Sequence, residues 1–149
     1  KGASIIECLV NCVIFNHGTH NWIADRETRA ERSIILRHGE KMIFGKNQDK
    51  GLALDYSKGL MPELIVVAAD DERVLTHDAT IADPSLHRML ALMGQEPTEG
   101  GLPIALGVIR RVPTESYDAA VNAQINEVRA KSKAKNFDEL TATLEQWEV

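Results

Sequence analysis

Apolar residues cluster in short runs separated by polar, glycine- and proline-containing stretches, and the first run, Ala3 to Asn16 (ASIIECLVNCVIFN), organises the reading of the chain. Ser4 to Val10 reads as a buried strand that delivers a thiol to its C-terminal end. Period-2 geometry puts Ser4, Ile6, Cys8 and Val10 on one face, so Cys8 is expected to act as a small buried hydrophobe. His17 to Asn21 is a polar loop. Asp25 to His38 predicts a helix with Ala30, Ile34 and Ile35 on a common face and Gly39 as its stop. Lys41–Phe44 and Leu52–Tyr56 predict a hairpin across the polar run Gly45 to Gly51.

Leu64–Ala68 reads as a further strand and Asp70–Thr80 as a loop. Asp83-Pro84 supplies an N-cap and a first-turn proline for a helix carrying Leu86, Met89, Leu90 and Met93 before Gly94. The methionines there read as ordinary core. Beyond the connection Gln95 to Gly101, Ile104–Ile109 is a strand ending in Arg110-Arg111, a solvated pair or a contact for an acidic partner. After Pro113 an amphipathic helix presents Tyr117, Ala120, Val121, Gln124, Ile125 and Val128 at steps of three and four. Lys131 to Lys135 breaks it. Asn136 and Glu139 then form a capping pair for a last helix with Leu140, Leu144 and Trp147, the tryptophan docking that helix. The elements make an α/β chain without internal repeats.

Composition narrows the classes. With 149 residues, 44% hydrophobic and 26% charged, the chain is long enough to bury a core. A net charge of -5 argues against a general nucleic-acid binder. No stretch has the length to span a bilayer and the first residues lack a signal-peptide pattern, so a cytoplasmic protein without membrane contact is expected. The chain starts at Lys1 and enters a predicted strand at once, as expected of a fragment or processed product. Two cysteines, Cys8 and Cys12, are too few for a disulfide framework.

Cys8, Cys12, His17 and His20 also raise a zinc reading. On a strand rising about 3.3 Å per residue the two thiols stand roughly 13 Å apart, so only a bend before Cys12 gathers them. Taken alone, Cys12 reads as a buried free cysteine. Asn16 either lines a cofactor pocket or caps the turn after Phe15, and His17 and His20 read as solvated loop residues.

NCVIFN, with IFGKNQDKGL, ADPSLHRML, PIALGVIRRVP followed by SYDAAV, and NFDELTATLEQWEV, resembles the β subunit of 2-oxoacid:ferredoxin oxidoreductases nearly end to end, most closely the 2-oxoglutarate type. Two departures bear on substrate subclass: Val10-Asn11 stands where many relatives have Ser-Pro, and Pro-Thr-Tyr-Asp is interrupted as Pro113-Thr114-Glu115-Ser116-Tyr117-Asp118. The resemblance implies the C-terminal portion of a thiamine-diphosphate-binding fold. Residues 1–15 would be the last strand of its mainly parallel sheet and the cluster loop, 16–112 a C-terminal α/β region with additional short strands, and 113–149 a helical tail.

The implied activity is oxidative decarboxylation of a 2-oxoacid to an acyl-coenzyme A, electrons passing through a 4Fe-4S cluster to ferredoxin, with an α subunit as partner. Cys12 matches the fourth cluster ligand, the other three preceding this stretch, and Asn16 is a cofactor-binding candidate. No residue here is assigned a catalytic role. The glycine-aspartate-glycine signature that holds thiamine diphosphate through Mg2+ is absent, as is any C-x-x-C pair, so the chain alone is expected to bind no cofactor and to be inactive. The alternative is a non-catalytic α/β interaction module that binds no cofactor.

Overall fold

The computed structural model describes residues 2–94, 101–134 and 136–142. It divides into two units, one of residues 6–112 and one of residues 1–5 with 113–149. The larger unit contains α1 (Asn21–Ala24), α2 (Arg29–Arg32), β1 (Ser33–Leu36), β2 (Ile43–Phe44), β3 (Lys50–Asp55), β4 (Glu63–Ala68), α3 (Ser85–Leu92) and β5 (Ile104–Gly107). The smaller contains α4 (Tyr117–Lys131) and α5 (Phe137–Thr141). The chain is thus mixed α/β, as its pattern predicts.

β2, β3 and β4 form an antiparallel sheet in that order, with Leu52 opposite Val66 and Ala53 opposite Ile65. β1 and β5 pair in parallel, Ile34 opposite Ala105 and Leu36 opposite Gly107. The core lies in this unit: Ile34, Leu36, Met42, Phe44, Leu52, Leu64, Leu90 and Met93 are buried together, Leu52 and Leu90 completely. Apolar burial of this kind contributes about 1.5–3 kcal/mol per large side chain. The strands predicted over 41–44, 52–56, 64–68 and 104–109 all appear, their ends differing from the expectation by one or two residues, and 64–68 extended only by Glu63.

Two expectations are corrected. Ser4 to Val10 is not a strand: no ladder forms there, and Ile5, Ile6 and Val10 are exposed at 95%, 86% and 67%. A strand is completed by the neighbour that takes its N–H and C=O groups, and no neighbour pairs with this segment among the described residues. Cys8 is accordingly exposed, not a buried hydrophobe.

The helix predicted over Asp25–His38 is likewise cut to the single turn α2, after which Ser33–Leu36 runs as β1. Ser33-Ile34-Ile35-Leu36 alternates, Ile34 and Leu36 inward and Ile35 out at 62% exposure, and pairing with β5 outweighs helix propensity. Ser33 Oγ donates to the Arg29 carbonyl at 2.7 Å as α2 ends.

Asp83 does not take the expected N-cap position, which falls to Pro84 as the helix begins at Ser85; its Oδ1 instead accepts the Ser85 N–H at 2.7 Å in a turn just ahead of the helix. Asn136 caps α5 by accepting the Glu139 N–H at 2.8 Å and donating to Glu139 Oε1 at 2.9 Å. α4 forms where predicted, but none of its residues is buried, and of its apolar stripe Tyr117 is 85% and Val128 61% exposed among the described residues. Leu144 and Trp147 lie outside the described residues, as does most of the Gln95 to Gly101 connection.

After β4, Asp71 clamps the chain reversal. Its carboxylate accepts the Arg73 N–H at 2.8 Å and the Arg73 guanidinium at 3.0 and 2.7 Å, and that guanidinium, helped by the N–H, holds the carboxyl at about 2. The folded value lies below the ordinary aspartate value near 4. The clamp therefore stabilises fully above about pH 4, and its contribution is lost as pH falls toward 2. Urea unfolding of the full chain should show Asp71→Asn losing stability at pH 7 and a narrower gap from the parent near pH 3; a constant gap would contradict this assignment.

Candidate functional site

The segment that carries the candidate ligand is a tight turn, built by side chains rather than by a sheet. The Cys12 carbonyl accepts the Asn16 N–H at 3.0 Å, closing the turn across Val13-Ile14-Phe15. Asn16 Nδ2 donates to the Val10 carbonyl at 3.4 Å, and the Thr19 hydroxyl donates to Asn16 Oδ1. Asn11 Oδ1 accepts the His20 N–H at 3.0 Å, and its Nδ2 donates to Asn21 Oδ1 at 3.3 Å. Asparagine and threonine are the residues that satisfy backbone in this way.

Cys12 is exposed on this turn. The N–H of Phe15, then that of Ile14, with a smaller contribution from Asn16, hold its thiol below the usual cysteine range. Positively polarised N–H groups favour the thiolate, the form that acts as nucleophile and as metal ligand. Val13, Ile14 and Phe15, the next residues in the turn, are apolar and stand out at 82%, 80% and 90% exposure.

The candidates fall out differently. Cys12 sits where a ligand can reach it. Both ends of the Asn16 side chain are engaged in holding the turn, which is the capping role weighed for it. Among the described residues, no three of His, Cys, Asp and Glu are gathered so as to hold a metal ion, so Cys8, Cys12, His17 and His20 form no zinc site. Arg110 donates through Nη2 to the Ala82 carbonyl at 3.0 Å, and the Arg111 N–H bonds to the Ala79 carbonyl at 2.7 Å. Among the described residues no helix is long and apolar enough to cross a membrane.

Two features escape sequence reading. His77 and His87, 1% and 3% exposed, stand 6.1 Å apart edge to face, with Nε2 of each 2.9 Å from the carbonyls of Val108 and Asp78 respectively. They tie the loop after β4 to β5 and α3. Neither Nδ1 has a hydrogen-bond partner among the described residues. The second feature is a cleft carrying Arg26, Arg29, Arg37 and Lys41. Their mixture with Asp25, Glu27, Glu31 and Glu40 along the chain reads as a solvated helix face, and only the break from α2 into β1 turns the cations to one place.

No family model matches the sequence, and no solved structure matches it. Over 134 aligned residues it is 30% identical to the 2-oxoglutarate oxidoreductase subunit KorB of Mycobacterium tuberculosis, the match covering 87% of this chain and 33% of that protein. The chain thus spans about a third of the length of the curated relative it matches. The similarity runs along most of the chain, in keeping with the resemblance carried by NCVIFN and the segments after it: the sequence is KorB-like over a stretch that corresponds to about a third of that subunit.

Proposed function

We propose that this chain is the part of a 2-oxoacid:ferredoxin oxidoreductase β subunit that presents Cys12 as one thiolate ligand of a 4Fe-4S cluster, in an enzyme acting on 2-oxoglutarate. The observation that carries the reading is the exposed thiol on an N–H-lined turn, within a sequence 30% identical to KorB over 87% of its length. A cluster of this kind needs four cysteine thiolates and supplies one-electron transfer when bound.

Cys12 fits one of those positions: the turn leaves its thiol exposed and lowers its proton affinity, and the next three residues in the chain, Val13, Ile14 and Phe15, are apolar. The other three thiolates come from outside this chain. Residues 1–15 would gain strand character beside the remainder of a thiamine-diphosphate-binding sheet. The chain has no signature for the diphosphate or its Mg2+, so the decarboxylation chemistry is assigned to the rest of the subunit and its α-subunit partner, with coenzyme A and ferredoxin as acceptors of the acyl group and the electrons. A cytoplasmic location accompanies this reading.

The exposed apolar run from Ile5 to Phe15 also favours a second reading, an interaction module that docks on a partner and holds no cluster. Chemical analysis separates the two. The full-length protein purified without oxygen should carry about four iron and four acid-labile sulfide per subunit. A folded protein free of both would replace the cluster reading with the interaction module.

A further inference from the structure

A cleft of about 640 Å3 opens between α2, β1 and the turn that follows β2, within the size range of small-molecule sites. Arg26, Arg29, Arg37 and Lys41 line it against a single carboxylate, Glu40, in a chain whose net charge is -5. Such a local excess of positive charge in an acidic chain raises the concentration of anions at that spot.

The cations are not equivalent. Arg29 is fixed in place, its Nε donating to the Ile23 carbonyl at 3.2 Å and its Nη2 to the Ala24 carbonyl at 2.9 Å, so its remaining donors are already oriented. Arg37 meets Glu40 only at 3.7 Å, with both side chains well exposed, a pair weak enough to open for a better acceptor. Arg26 and Lys41 are in no ion pair among the described residues. The floor is apolar: Ile35 on β1, 62% exposed, and Ile43 on β2. At its edge Gln48 holds a left-handed backbone (φ 55°), unusual for a residue other than glycine, with its Nε2 on the Gly45 carbonyl.

We propose that this cleft binds a small phosphorylated molecule, the phosphate held by Arg26, Arg29, Arg37 and Lys41 and the rest of the molecule lying over Ile35 and Ile43. Four converging cations exceed what one carboxylate neutralises and match a phosphate, which carries up to two charges and three acceptor oxygens. The proposal is independent of the role given to Cys12.

Calorimetric titration of the full chain with inorganic pyrophosphate tests it, with succinate as a dianion lacking phosphate. Pyrophosphate should bind at least tenfold more tightly than succinate. Arg26→Gln combined with Arg37→Gln should weaken it a further tenfold or more, and Lys41→Gln alone should weaken it severalfold, which serves if the paired variant does not fold. Lys58→Gln, on the β3–β4 turn where Lys58 pairs with Glu63, should leave binding unchanged. No binding up to about 10 mM pyrophosphate, equal affinity for succinate, or parental affinity in the folded Arg26, Arg37 or Lys41 variants would each overturn the proposal.

Discussion

Cys12→Ser in the intact complex, purified without oxygen, should abolish or reshape the electron paramagnetic resonance spectrum of the reduced cluster. Electron delivery to ferredoxin should fall by about 100-fold or more, given that even neighbours of metal ligands cost 10–100-fold when replaced. Serine keeps the size of cysteine but offers a hydroxyl whose proton is far harder to remove, so it cannot replace a thiolate on iron. The fold should survive the change, because the turn is set by Asn11, Asn16 and Thr19 and by the Cys12 carbonyl, none of which uses the sulfur. Decarboxylation followed with an artificial acceptor should persist in part. Cys8→Ser, four residues earlier and outside the turn, is the matched control and should leave the spectrum as it is. An unchanged spectrum in Cys12→Ser would remove this chain from the cluster.

Much of the fold is legible in the sequence wherever a segment's own pattern decides its structure. Leu64–Ala68 is continuously apolar and makes up all but the first residue of the strand Glu63–Ala68. Asn136 announces its helix because capping is a contact within three residues, and Asp83 marks the start of α3 to within a residue through a turn to the Ser85 N–H. What periodicity cannot see is the partner. Ser4–Val10 has the apolar content of a strand without a neighbour to complete it among the described residues, and the same local signal in Ile104–Gly107 yields a strand because Ser33–Leu36 lies alongside.

The converse failure occurs at Ser33–Leu36, where charged residues before and after invite a helix and the alternating burial of Ile34 and Leu36 shows only in three dimensions. The candidate site divides in the same way. Cys12 and Asn16 stand out in NCVIFN, and the Asn11–Thr19 scaffold around them is local enough to be inferred. The cleft is not, since it needs the chain to turn twice between Arg26 and Lys41 before its cations face one space.

The pairing of β1 with β5 makes the second large prediction, that Gly107→Ala costs far more stability than Gly39→Ala. Both glycines hold positive φ, 95° and 84°, so alanine brings similar backbone strain at each, about 1–3 kcal/mol. Both substitutions also narrow the unfolded ensemble equally, and that term cancels in the comparison. The difference lies in the native surroundings. A Cβ on Gly107 would lie 2.7 Å from the Leu36 carbonyl oxygen, directly across the ladder, whereas one on Gly39 meets nothing within 4 Å.

Backbone cannot step aside as a flexible side chain does, so β5 must shift away from β1 or the ladder must open. β1 carries Ile34 and Leu36 into the core, and disturbing it adds an overpacking cost of about 1–3 kcal/mol. Urea unfolding of the full chain should therefore place the Gly107→Ala midpoint well below that of Gly39→Ala, itself modestly below the parent. Equal losses in the two variants would mean that β1 and β5 do not approach as closely as their register requires.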